Sequence, residues 1–77
     1  MRDKPQRVAP KLKAIRERLG LSQTGMLRQL NLKCCYPRIS EFERGRRFPS
    51  VPTLLAYARA ARIPLEEIVD DDLELTT

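Results

Sequence analysis

The stretch ISEFERGRRFPS, residues 39–50, decides how this 77-residue chain is read. Ile39 and Phe42 stand three apart, the spacing that puts two apolar side chains on one face of a helix. Gly45 follows where a left-handed residue ends such a helix, and Arg46 to Pro49 continue as a basic loop. Pro37, just ahead, suits the first turn, because its missing N–H has no intrahelical partner to lose. The expected element is a short helix held down by two apolar residues, polar on its other side, with cations after it.

The neighbouring segments continue the helical pattern. Upstream, Pro10 is expected to open a helix in which Leu12, Ile15 and Leu19 face the core. Lys11, Lys13, Arg16, Glu17 and Arg18 lie on other faces, and Gly20 ends the run. Ser22 caps a second, short helix whose apolar side is Met26, Leu27 and Leu30, ending near Asn31, which tolerates a left-handed turn. Gly25 inside it costs about 1 kcal/mol relative to Ala, so neighbours must hold this helix. Downstream, Ser50 caps a fourth helix with Pro52 in its first turn and Leu54, Leu55, Tyr57, Ala58 and Ala61 on its buried side. Pro64 breaks that run and opens a fifth, with Leu65, Ile68 and Val69 apolar. Asp70, Asp71 and Asp72 then oppose the helix dipole, and the chain is expected to fray there. The class is all-α, with a flexible basic arm at 1–9, one folded domain at 10–69 and an acidic tail at 70–77.

Composition limits the function. Hydrophobic residues at 42% are too many for a disordered chain, and no apolar run approaches the ~20 residues of a membrane span. Met1 to Pro5 lacks the apolar run of an export signal, so a cytoplasmic protein is expected. The net charge of +5 is unevenly placed: thirteen Lys and Arg against four acids through Arg47, two against six from Phe48 onward. Such a division suits a polyanion bound on one side of the molecule. With no His, no Gly-rich phosphate loop and no paired carboxylates, nothing can be assigned as acid, base or nucleophile, and no enzyme is expected. Cys34 and Cys35 are adjacent, but zinc takes four ligands and free thiols are expected, with no metal or cofactor.

Three segments, LKAIRERLGLSQ (12–23), ISEFERGRRFPS (39–50) and TLLAYARAARIPLEEIV (53–69), resemble the lambda-repressor-like, Cro-type helix-turn-helix family, often called the XRE family, over residues 10–69. The resemblance implies a compact five-helix fold and sequence-specific binding of double-stranded DNA by a transcriptional regulator, a repressor, acting as a homodimer. Its third helix would read the major groove, which at ~12 Å admits only a slim helix. It further implies that Gln23 clamps a phosphate beside the N–H groups of its helix end, and that Lys33, Arg44, Arg46 and Arg47 grip the backbone. Base readers would be Tyr36 on a thymine methyl, Arg38 on a guanine edge, Ser40, and Glu41 accepting from a cytosine amino group. Arg16 and Glu43 occupy positions where the family has a partly buried ion pair. Leu65, Ile68, Val69, Leu73 and Leu75 are candidates for the dimer contact or, equally, core and disordered tail. Another role on the same fold is an antitoxin or a small adaptor with a protein partner. The sequence departs from the family in two respects: about two extra residues within Asn31–Tyr36, and Leu27 where the family favours Ala.

Overall fold

The structure is a computed structural model that describes residues 7–31 and 37–75. Those residues form α1 (Val8–Leu19), α2 (Gln23–Gln29), α3 (Pro37–Glu43), α4 (Val51–Ala61) and α5 (Leu65–Val69), with no strand among them. Ser22 and Ser50 start their helices alike: each has an extended backbone, and its hydroxyl oxygen accepts from the N–H three residues on, at 2.9 and 3.4 Å. That satisfies one of the N–H groups a helix start leaves free. Gly20 (φ 72) ends α1 in the left-handed region, with the N–H groups of Gly20 and Leu21 returned to Glu17 and Arg16. Asn31 has φ 57 after α2. Arg62 (φ 60) ends α4 in the same conformation, unusual for a long side chain and without a cue in the sequence.

One core joins all five helices. Leu12 and Ile15 of α1, Met26 of α2, Ile39 of α3, Tyr57 of α4 and Ile68 of α5 are each exposed by 2% or less. Each fully buried aliphatic side chain of this size contributes roughly 1.5–3 kcal/mol. Packing centres on α1, which touches α3, α4 and α5, while α2 closes against α3. Leu27 is buried at 8% exposure, so its bulk is taken up inside the core and not by turning outward. The turn at 32–36, with Lys33, Cys34, Cys35 and Tyr36, lies outside the described residues.

Several expectations are corrected. α1 begins at Val8, two residues before Pro10, and Val8 is in the core. Pro10 falls at the third helical position, where its absent N–H is equally harmless. Leu19 is 38% exposed, because it ends the helix where the chain turns and Leu21 packs on the core instead. Leu55 is half-buried, whereas Ala61, also half-buried, packs on the core as expected.

The largest difference concerns Lys11 and the acidic end. Lys11 is 5% exposed, and its Nζ donates to the carbonyls of Glu67 (2.7 Å), Asp70 (2.8 Å) and Leu73 (2.8 Å). A cation here satisfies carbonyls that the end of α5 leaves open and offsets its negative pole. The Arg7 backbone N–H donates to Asp71 Oδ1 (2.9 Å), and its guanidinium reaches Asp71 O (2.6 Å) and Glu74 Oε1 (2.7 Å). That last hydrogen bond holds the Glu74 carboxyl below the usual carboxylate range. Where fraying was expected, the end of α5 is tied in the structure by Lys11 of the first turn of α1 and by Arg7 just before it.

Candidate functional site

Ile39 and Phe42, 0% and 4% exposed, seat α3 on the core. Their burial turns Arg38 and Glu41 to the outside, with side chains 37% and 41% exposed, and leaves Ser40 half-buried beside them. The helix closes with Arg44 N–H on Ser40 O (3.0 Å), Gly45 N–H on Phe42 O (3.2 Å) and Arg46 N–H on Glu41 O (2.9 Å). Gly45 makes the turn possible at φ 75; a Cβ there would lie 3.9 Å from Ala9, so backbone conformation, not space, calls for glycine. The turn carries Arg47 back over α3, where its Nε donates to Glu41 Oε1 at 3.0 Å. Arg38 Nε lies 3.8 Å from the same oxygen. One exposed surface thus joins Arg38, Glu41 and Arg47. Arg44 and Arg46 adjoin it, both exposed, and no carboxylate among the described residues lies within salt-bridge distance of either.

Behind that surface Arg16 and Glu43 meet. Arg16 Nε donates to Glu43 Oε2 (2.6 Å), Nη2 to Oε1 (3.1 Å), and Nη1 to Leu21 O (2.9 Å). The two side chains are 15% and 5% exposed, and the hydrogen bond that the guanidinium donates to Glu43 raises its pKa further, so the charge is permanent. Gln23, at the start of α2, turns its amide Nε2 to Glu43 Oε1 at 3.4 Å. Side chains of α1, α2 and α3 therefore converge on one carboxylate, which fixes the direction of α3. The Gln23 side chain, expected at a phosphate, rests in this cluster in the free protein.

Tyr57 lies close enough for both charges to act on it. It is fully buried, its hydroxyl has no hydrogen-bond partner among the described residues, and burial foremost, then the Glu43 charge, pushes its pKa well above the ordinary phenol range. An unsatisfied buried hydroxyl costs about 1–3 kcal/mol. Tyr57→Phe is therefore expected to leave the melting temperature unchanged or raise it by a few degrees. A clear fall in thermal melting would mean that the hydroxyl has a partner in solution.

The remaining candidates are not brought to this surface by anything described: Lys33 and Tyr36 lie outside the described residues, as do Cys34 and Cys35. Among the described residues no group of three or more His, Cys, Asp or Glu is placed to hold a metal ion, and no helix is long and apolar enough to cross a membrane. Sequence reading missed the tie of Arg47 to Glu41. The spacing of Arg38 and Glu41 was visible as a helical i, i+3 pair, whereas the Arg47 contact depends on the turn at Gly45.

A family model described as a helix-turn-helix domain matches residues 7–69. No curated protein matches the chain. Among solved structures, the chain is similar to the DNA-binding domain of the P22 C2 repressor (1–76), with a TM-score of 0.74 and 23% identity, over 97% of this chain and 96% of that one. At that identity the likeness is one of fold.

Proposed function

The chain belongs to the helix-turn-helix domain family, and from that premise we propose that it is a DNA-binding transcription regulator that lays α3 in the major groove of double-stranded DNA. The observation that carries this reading is the single exposed surface of Arg38, Glu41 and Arg47, with Arg44 and Arg46 beside it. A reading helix needs an outward edge that can reach bases and cations next to it that hold phosphates. Here Arg38, Ser40 and Glu41 form the edge, with Arg38 suited to a guanine and Glu41 to a cytosine amino group. Arg44, Arg46 and Arg47 hold the backbone after the helix. Gln23 takes a phosphate once its weak contact with Glu43 is exchanged. Lys33 and Tyr36, by their place in the sequence between α2 and α3, add a phosphate and a base contact. On this reading the protein acts as a repressor in the cytoplasm, and two copies would read half-sites about 34 Å apart.

Selection from a random duplex library tests the reading: a palindromic consensus is expected, and the absence of any enriched sequence would sink it. If one domain neutralises about four to six phosphates, log affinity falls against log salt with a slope of about −4 to −5. The double change Arg44→Ala with Arg46→Ala, the two arginines of the surface without a carboxylate partner among the described residues, is expected to weaken binding roughly 30- to 100-fold at 0.1 M salt on all sequences alike, and to flatten that slope by about two. Fluorescence anisotropy on the selected and on scrambled duplexes measures both. Loss confined to one sequence would assign these arginines to base reading instead.

A further inference from the structure

Between Arg18 and Leu65 the sequence holds two acids, Glu41 and Glu43. Glu43 is turned inward onto Arg16 with its side chain 5% exposed, so Glu41, at 41%, is the carboxylate of that stretch presented to solvent. It stands in the middle of the surface proposed to meet DNA, one oxygen 3.0 Å from Arg47 Nε and 3.8 Å from Arg38 Nε. Its backbone carbonyl also receives the N–H of Arg46 at 2.9 Å, which ties the basic turn to the same residue.

A carboxylate in that place works against a polyanion on any sequence that gives it no donor. If the contacts to Arg38 and Arg47 persist on DNA, the three side chains together present one positive charge to phosphates, not two. If the contacts break, Glu41 faces acceptor-rich DNA without a partner. Either way random DNA loses about one phosphate's worth of attraction. Only a base with an exocyclic amino group in the major groove, a cytosine N4 or an adenine N6, can replace the arginines as donor to Glu41.

We infer that Glu41 sets specificity by holding Arg38 and Arg47 back from random DNA and releasing them where an amino-bearing base takes its carboxylate. The inference rests on the DNA-binding reading above. It assigns Glu41 a restraint on wrong sequences in addition to a contact with the right one, the repulsive element that discrimination between similar partners requires.

Glu41→Gln separates the two, because it removes the charge while retaining shape on an exposed position. By anisotropy on a random-sequence duplex, the variant is expected to bind about eightfold tighter at 0.1 M salt, with a salt slope steeper by about 0.9, the value of one extra neutralised phosphate. On the selected duplex its affinity is expected to fall, because the contact with the amino-bearing base is no longer charge-assisted, so the specificity ratio falls. Glu66→Gln removes the same charge from α5, which packs on α1 and α4, and is expected to change random-DNA affinity less than about twofold. Random-DNA affinity of Glu41→Gln within twofold of the natural protein, or an equal gain from Glu66→Gln, overturns the inference and leaves DNA binding standing. Failure of the natural protein to bind any duplex overturns both.

Discussion

Replacing Lys11 by Met is expected to lower folding stability by about 2–3 kcal/mol and the melting temperature by roughly 10–20 °C, although the aliphatic stem is replaced by one of similar length. The ammonium group holds three carbonyls at 2.7–2.8 Å, and that of Glu67 is in a buried contact. Losing a charge-assisted bond to a buried carbonyl leaves the desolvation cost of that carbonyl unmatched, about 1–3 kcal/mol, while the two partly buried carbonyls can turn to water at smaller cost. Release of the ammonium's own desolvation offsets part of this, which sets the figure below the sum of three bonds. Arg at the same position should recover little, because a planar fork cannot point three donors at three converging oxygens. Thermal and urea melts measure the effect, and a Met variant as stable as the natural protein would show that water serves these carbonyls equally well.

Glu43→Ala comes next, expected to cost about 2–3 kcal/mol and to weaken DNA binding on every sequence. Removing one partner of a buried pair leaves the other charge uncompensated, a loss of about 3–5 kcal/mol when burial is complete. Arg16 is 15% exposed and keeps Leu21 O, so the smaller figure applies. Binding suffers because Glu43 is where Arg16 and Gln23 fix the direction of α3. A double-mutant cycle with Arg16→Ala should return a coupling of at least about 1.5 kcal/mol. A coupling near zero would reduce the contact to a surface pair without consequence for the placement of α3.

What could be read in the sequence was local. Ser22 and Ser50 as caps, Gly20 and Gly45 as left-handed ends and Ile39 with Phe42 as the seat of α3 need only a few neighbouring residues to act, so spacing and residue type reveal them. The burial of Lys11 has no local cue, because a lysine next to an apolar stripe is ordinarily solvated and its partners are 56 to 62 residues away. Val8 was missed for the same reason, since its burial depends on the distant core and not on its own turn. At the candidate site, the 27-residue separation of Arg16 and Glu43 was accessible through resemblance alone, and the contact between Arg47 and Glu41 required the path of the turn.

The Lys11 contacts also bear on how α5 exists at all. Five residues form barely more than one turn, and a helix of that length does not persist in water by its own backbone bonds. Its far end is completed by a side chain from α1, so the stability of the fifth helix depends on the first. Loosening the segment from Glu67 to Glu74 therefore means giving up the contacts of Arg7 and Lys11, which couples the far end of the fold to the start of α1.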